Sequence, residues 1–226
     1  MTSFGRPRAA MLSDVEAERL DLAVFLESLE EEEWQTPSLC ADWTVHHVLA
    51  HLALSTRQPF LSTMIRVARA RGDFHRVEAA LAVEYGRAYQ PRQLIAQLRE
   101  TAGSPYRFPL SGALDPLTDI LVHGQDIARP LGRERTMPSE RVVPVLDYVW
   151  KSTFYGARKR FAGLRFVATD ADWSSGAAEV GVPEVHGPVD DILLLATGRG
   201  AGLTGLTGAG ADEVATRMDR PKSATG

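Results

Sequence analysis

Apolar residues recur at helical spacing through roughly the first 160 residues, and this periodicity restricts the fold of the chain more than any other feature. Residues three or four positions apart lie on one face of an α-helix, so each apolar stripe must be buried against another element. The 226-residue chain is 44% hydrophobic, which is enough to fill a core and excludes a disordered protein. The two clearest stripes are Leu22, Phe25, Leu26 and Leu29, and Val45, Val48, Leu49 and Leu52. The pattern predicts a bundle of amphipathic helices.

Capping residues and prolines set the limits of the predicted helices. Ser13 and Glu16 form a capping-box pattern before the first helix, and Thr44 has the position of a cap for the second. Pro91 and Pro116 stand at first-turn positions, where proline is favoured. The predicted helices cover residues 14–32, 45–70, 76–89, 91–102, 116–128 and 138–160.

The periodicity changes from helical to alternating after Gly163. Two short alternating segments flank a turn that is rich in Asp, Ser and Gly, and two further helices follow. These predicted elements are strands over 164–169 and 178–182 and helices over 188–197 and 211–218. We therefore predict a mainly α protein with two domains, an antiparallel helical bundle over residues 1–162 and a small α+β domain over residues 163–226.

Composition excludes several classes of function. The net charge of −4 arises from charges of both signs and gives no basic surface for nucleic acid. No apolar stretch approaches the roughly 20 residues that a membrane-spanning helix needs, and no apolar segment follows the amino-terminal arginines as in a secretion signal. The single cysteine, Cys40, cannot form an internal disulfide. We expect a cytoplasmic protein that acts on a small molecule, without a nucleic-acid or membrane partner.

Titratable residues with metal-ligand spacing occur in two predicted helices. In one helix His47 and His51 are four residues apart, and in another Asp119 and His123 are four apart, with Asp126 three residues further on. A carboxylate and an imidazole one helical turn apart can bind one divalent cation together, with Asp126 as an acceptor that supports the imidazole ring. The alternative is that both aspartates are solvated and His123 packs against its neighbours. Spacing alone leaves both interpretations open.

Two of these segments resemble a known family. The segment from Thr36 to Val45, Thr-Pro-Ser-Leu-Cys-Ala-Asp-Trp-Thr-Val, and the following Val48-Leu-Ala-His-Leu52 resemble the second-helix signature of the mycothiol-dependent maleylpyruvate isomerase family, within the wider DinB-like bundles. Asp119-Ile-Leu-Val-His-Gly-Gln-Asp-Ile-Ala128 is similar to the fourth-helix motif of that family. Weaker similarity continues into the carboxyl-terminal part, at Val167–Asp170, Trp173 and Thr197-Gly-Arg199.

The resemblance implies a DinB-like antiparallel four-helix bundle that holds a divalent metal, usually zinc. The matching ligand positions are His51, Asp119 and His123. The family pattern has glutamate at the position of Asp119. Because aspartate is one methylene shorter, the metal would lie closer to the fourth helix, bind more weakly or be absent. His47 is an alternative metal ligand.

The resemblance also implies that the thiol cofactor mycothiol acts together with the metal. Three protein ligands leave one position open, as in catalytic zinc sites, and a bound cation stabilises a thiolate. We therefore expect a transferase or isomerase that acts on a small electrophilic metabolite. Arg199 is the candidate catalytic and cofactor-binding residue that holds a carboxylate of substrate or thiol; alternatively it caps the end of a helix. A non-catalytic metal-binding or ligand-binding protein and a metal-dependent hydrolase are the competing hypotheses. Cys40 is expected to pack in a turn beside Trp43, and the alternatives are that it is a nucleophile or an additional metal ligand.

Overall fold

The computed structural model describes residues 7–109, 111–176 and 179–219, and the observations below concern those residues. Most of the described elements are helices, together with one two-stranded sheet. The prediction of a mainly α protein is therefore confirmed. The chain divides into two compact units, one that ends at Arg135 and one that begins at Thr136.

The first unit is helical. Helix α2 contacts α4, α5 and α6, and α1 contacts α5 and α6, so α2 is surrounded by its neighbours. The interior is filled by leucine and isoleucine side chains that have almost no solvent exposure, including Leu22, Leu49, Leu98 and Ile120. The helices are α1 (Arg8–Glu27), α2 (Val45–Ser55), α3 (Phe60–Arg69), α4 (Phe74–Ala88), α5 (Pro91–Glu100) and α6 (Asp115–Ala128).

The limits predicted for the first helix are wrong at both ends. Helix α1 begins at Arg8, directly after Pro7, so Ser13 lies inside the helix and does not cap it. The helix ends at Glu27, where the hydroxyl of Ser28 donates to the carbonyl of Phe25. A short 3₁₀ helix, Glu31–Gln35, follows as a separate element with its own capping box.

The predicted helix over residues 45–70 is two helices, α2 and α3. Pro59 lies between them and precedes the first residue of α3. Proline lacks the backbone N–H that a continuous helix would use, and it disfavours helical geometry at the preceding residue. The break allows the buried side chain of Gln58 to turn inward and donate to Glu78 of helix α4 at 2.5 Å. The limits of α4, α5 and α6 agree with the prediction within two residues.

Buried polar contacts fix helix α6 against helix α1. Glu18 of α1 and Arg135, which follows α6, are both buried and form an ion pair at 2.5 Å. The guanidinium of Arg135 lies against Gly124, where a Cβ atom would approach Arg135 Nη1 to 2.8 Å. A larger residue at position 124 would force the guanidinium of Arg135 to shift.

The second unit combines helices with a small sheet. The helix predicted over residues 138–160 is interrupted between residues 152 and 156, where Gly156 has a φ of +67° that favours glycine. Helix α7 contacts helix α9, and this contact groups α7 with the carboxyl-terminal residues. The boundary between the two compact units lies between residues 135 and 136, whereas the sequence predicts a domain boundary between residues 162 and 163. The elements are α7 (Ser139–Lys151), α8 (Ala157–Arg160), β1 (Arg165–Ala168), β2 (Glu184–Gly187), α9 (Val189–Ala196) and α10 (Ala211–Asp219).

The two strands form a parallel pair, with Phe166 of β1 opposite Val185 of β2. The predicted strand over residues 178–182 is wrong for residues 179–182, which form a turn and irregular backbone; residue 178 lies outside the described residues. The second strand begins only at Glu184. It pairs with β1 in parallel, and a parallel pair needs a longer connection than the hairpin turn that the sequence predicts. The helices predicted over residues 188–197 and 211–218 correspond to α9 and α10.

Aromatic side chains form the core between helix α7 and the sheet. The ring centroid of Trp150 lies 5.1 Å from that of Phe166 and 5.4 Å from that of Trp173. The indole nitrogen of Trp173 donates to Asp147 Oδ1 at 2.9 Å, which satisfies its polar group. Trp150 and Trp173 are thus core residues of the second unit.

Among the described residues, no helix combines the length and the apolar character that crossing a lipid bilayer requires.

Candidate metal centre

Helices α2 and α6 carry the three side chains predicted as metal ligands. Thr44 caps the amino terminus of α2 by accepting a hydrogen bond from the backbone N–H of His47. Seven residues after this cap, His51 lies on the side of α2 that faces α6. Asp119 and His123 are one turn apart on α6 and lie in contact with each other. The structure therefore brings His51, Asp119 and His123 together from two helices.

A single carboxylate oxygen of Asp119 lies between the two imidazole rings. Asp119 Oδ1 is 3.4 Å from Nε2 of His51 and 3.3 Å from Nε2 of His123. The two rings are nearly perpendicular, at 72°, with centroids 4.9 Å apart. A tetrahedral zinc ion with bonds of about 2.0–2.1 Å separates its ligand atoms by about 3.3–3.4 Å. These donor atoms therefore fit one divalent ion, although the shorter aspartate replaces the expected glutamate.

The charges of Asp119 and His123 depend on each other. Burial raises the pKa of Asp119, but the positive charges of His51 and His123 outweigh it and hold that pKa well below its usual range. Burial lowers the pKa of His123, but its contacts with Asp119 and Asp126 outweigh it and raise that pKa well above 6.5. Without a metal, the centre consists of an ionised carboxylate against an imidazolium.

Each imidazole also faces a second carboxylate through its other ring nitrogen. Nδ1 of His123 lies 2.8 Å from Oδ2 of Asp126, which has no solvent exposure. Nδ1 of His51 lies 3.8 Å from Oε2 of Glu78. In metalloproteins such outer carboxylates fix the tautomer of the ring and leave Nε2 available for the metal. The burial of Asp126 excludes the interpretation that this aspartate is solvated.

Sequence reasoning identified Asp126 but missed Glu78. Asp126 is three residues from His123, and helical spacing alone places the two side chains together. Glu78 comes from helix α4 and has no sequence spacing relative to His51. Only the packing of α4 on α2 and the hydrogen bond from Gln58 bring it to the centre.

The loop before helix α2 places Cys40 next to His123 and Asp126. Cys40 and Trp43 form a turn, as expected, in which the backbone N–H of Trp43 donates to the carbonyl of Cys40. The thiol of Cys40 additionally donates to Oδ2 of Asp126 at 3.1 Å, a contact that sequence reasoning missed. The backbone N–H of Leu39 donates to the carbonyl of Asp126, which attaches the loop to helix α6.

Trp43 covers the two histidine rings on one side. Its ring centroid is 5.3 Å from that of His51 and 6.2 Å from that of His123. The preceding residue, Asp42, has a φ of +64°, which is uncommon for a residue other than glycine. Backbone strain of this kind is concentrated at functional sites. Trp43 is half-buried against the candidate ligands.

His47 lies outside the candidate metal centre. Its Nδ1 accepts a hydrogen bond from the backbone N–H of Thr44 at 3.2 Å, so it completes a capping box at the start of α2. Burial lowers the pKa of His47, and the nearby charges of His46 and Arg87 lower it further. His47 does not join the donor atoms of His51, Asp119 and His123. The geometry thus gives no support to His47 as a replacement ligand.

Arg199 lies just after helix α9 in the second unit. Its Nη1 donates to the carbonyl of Thr197 at 3.0 Å, and its backbone N–H donates to the carbonyl of Leu194. This is the arrangement expected for an arginine that caps a helix terminus. Arg199 as a whole is half-buried. Binding of a substrate or cofactor by Arg199 stays a prediction.

Comparisons with known proteins relate the chain to one family. Residues 15–109 match the model of the mycothiol maleylpyruvate isomerase N-terminal domain. The crystal structure of the mycothiol-dependent maleylpyruvate isomerase has a TM-score of 0.63 and 17% identity, over 93% of this chain and 96% of that chain. A histidine-to-alanine mutant of a mycothiol-dependent maleylpyruvate isomerase has a TM-score of 0.62 and 16% identity, with the same coverage. Comparison with curated protein sequences gives no significant match. Residues 15–109 are therefore similar to the mycothiol maleylpyruvate isomerase N-terminal domain, and the chain has the fold of the solved mycothiol-dependent maleylpyruvate isomerase.

Proposed function

We propose that this chain is a metal-dependent enzyme that uses mycothiol. It either isomerises a small electrophilic metabolite with the help of this thiol or transfers the thiol to the metabolite. The observation that supports this proposal most strongly is the position of Asp119 Oδ1, which is within 3.4 Å of Nε2 of both His51 and His123. The similarity in domain and fold supports mycothiol as the thiol, because the similar solved structures are mycothiol-dependent maleylpyruvate isomerases.

His51, Asp119 and His123 would hold one divalent ion, which we expect to be zinc. Two imidazoles and one carboxylate are typical of catalytic zinc sites and leave one coordination position open. When bound there, the ion lets an external thiol serve as a thiolate nucleophile at neutral pH. Asp119 neutralises one of the ion's two positive charges.

The remaining residues of the centre keep these ligands in place. Asp126 accepts a hydrogen bond from Nδ1 of His123, which orients Nε2 of that ring toward Asp119. Glu78 lies near Nδ1 of His51 and accepts a hydrogen bond from the side chain of Gln58. Trp43 limits the rotation of both rings and keeps water from one side of them. Such preorganisation stabilises the reactive geometry before substrate arrives.

We also propose that Arg199 holds a carboxylate of the substrate or the thiol. A guanidinium can bind a carboxylate through two parallel hydrogen bonds, which an ammonium cannot reproduce. Arg199→Lys should therefore raise KM while leaving metal content unchanged. An unchanged KM in both Arg199→Lys and Arg199→Ala would contradict this role for Arg199.

The proposed function is tested by measuring metal content and thiol-dependent turnover in the same protein sample. Purified protein is assayed with maleylpyruvate in the presence and absence of mycothiol, before and after treatment with a chelator. Turnover that requires both metal and mycothiol supports the proposal. Bound metal without turnover would favour a binding protein, and a product formed without thiol would favour metal-dependent hydrolysis.

A further inference from the structure

A second set of metal-ligating atoms lies next to the candidate centre. Cys40, His123 and Asp126 place Sγ, Nδ1 and Oδ2 close together, and we name these three residues the thiol cluster. Sγ is 3.1 Å from Oδ2 and 3.6 Å from Nδ1, and Nδ1 is 2.8 Å from Oδ2. A triangle with these sides contains a point about 2 Å from each corner, close to the bond lengths of about 2.0–2.3 Å that zinc forms with O, N and S.

We propose that the thiol cluster is a second metal position, which takes a thiophilic divalent ion such as Cd²⁺. Soft thiolate ligands favour such ions over those that prefer oxygen ligands. Cys40 is half-buried, whereas Asp126 has no exposure. A thiolate and a carboxylate together supply two negative charges that balance a divalent ion.

The protein backbone holds the thiol cluster in this arrangement. The N–H of Leu39 donates to the carbonyl of Asp126 at 3.1 Å, so the loop and helix α6 are joined beside the cluster. The hydroxyl of Ser38 accepts from the N–H of Cys40 at 3.1 Å. Binding of an ion would replace the S–H and N–H hydrogen bonds to Asp126; the thiol proton would pass to solvent, and the ring of His123 would keep one proton on its other nitrogen.

The two metal positions share His123 through opposite ring nitrogens. An ion on the thiol cluster uses Nδ1, so the ring proton moves to Nε2, which faces Asp119. A protonated Nε2 cannot bind an ion together with His51 and Asp119. The two positions are therefore occupied one at a time, and a thiophilic ion displaces zinc from His51, Asp119 and His123.

Cd²⁺ titration of the zinc-loaded full chain tests this proposal. Thiolate coordination gives an ultraviolet charge-transfer absorption, and Cys40 is the chain's one cysteine. We expect this absorption to saturate at one equivalent of Cd²⁺, with release of the bound zinc. Cys40→Ser should lose the absorption and keep its zinc, and Asp126→Asn should weaken it.

Asp119→Asn is the matched control, because Asp119 belongs only to the first set of ligands. The absorption should persist in Asp119→Asn, and circular dichroism should confirm that every variant is folded. Wild-type protein that binds Cd²⁺ without the absorption would overturn the proposal, as would loss of the absorption in Asp119→Asn or simultaneous binding of both ions. Zinc bound by Cys40→Ser at the wild-type level would still support the proposed function, so the two ideas fail separately.

Discussion

Nδ1 of His123 donates to Oδ2 of Asp126 across 2.8 Å, and Asp126 is completely buried. The pair lies within one turn of helix α6, so the contact follows directly from helical geometry. Its consequence is that His123 has one orientation and directs Nε2 toward Asp119. The centre is thus arranged by residues that do not themselves face the proposed metal.

Asp126→Asn should weaken zinc binding by about 10–100-fold, the range typical of outer carboxylates that support a ligating histidine. An amide cannot accept the Nδ1 proton as strongly as a carboxylate does. Glu78→Gln is the matched comparison and should have a smaller effect, because Glu78 lies 3.8 Å from His51. Competition with a zinc-binding dye measures both affinities. Equal zinc affinities in Asp126→Asn and the wild type would contradict this role.

Asp119→Asn should weaken zinc binding, whereas Asp119→Glu should strengthen it. The asparagine removes the negative charge between the two imidazoles, and the glutamate restores the residue usual in the family at this position. Calorimetric titration with zinc gives the two dissociation constants. If Asp119 does not ligate the ion, neither substitution changes zinc affinity.

The stability of the protein should depend on His47 at mildly acidic pH. Burial lowers the pKa of His47 below 6.5 in the folded state, so the unfolded chain binds more protons in this range. The stabilisation is fully present above 6.5 and is lost as the pH falls through that value toward the lower folded pKa. Protonation also removes the acceptor for the N–H of Thr44.

His47→Gln is the variant that tests this dependence. Glutamine can accept the same N–H in a capping box but does not titrate. The loss of unfolding free energy between about pH 7 and about pH 5 should be smaller in the variant, measured by urea denaturation. The same loss in both proteins would show that His47 does not contribute.

Cys40→Ser should keep most of the thiol-dependent activity, and chelation should remove it. The external thiol is the proposed nucleophile, and serine can still donate a hydrogen bond to Asp126. Turnover and zinc content are measured on the same samples. Loss of turnover with unchanged zinc content in Cys40→Ser would instead indicate covalent catalysis by the protein thiol.

The sequence predicts those parts of the candidate centre that lie on one helix. Asp119, His123 and Asp126 fall on one face at fixed spacing, and resemblance to the family adds His51. Glu78 and Cys40 come from a separate helix and a loop, and no sequence spacing connects them to the histidines. Their positions depend on tertiary packing, which periodicity does not encode.

The differences between the predicted and the observed fold also depend on whether a feature is local or comes from distant parts of the chain. Periodicity predicts the helices well, but it does not predict the break at Pro59, because the apolar spacing continues across the proline. Alternation also identifies strand β1, whereas the partner strand is displaced to Glu184–Gly187. Parallel pairing depends on the path of the connection and not on the composition of either strand.

The metal content of purified protein tests the central claim most directly. Elemental analysis should find one zinc ion per chain in the wild type and in His75→Ala, whose histidine lies outside the proposed ligand set. The double variant His51→Ala and His123→Ala should contain no stoichiometric zinc, while circular dichroism shows helical content close to that of the wild type. A full equivalent of zinc in the folded double variant would contradict the proposed centre.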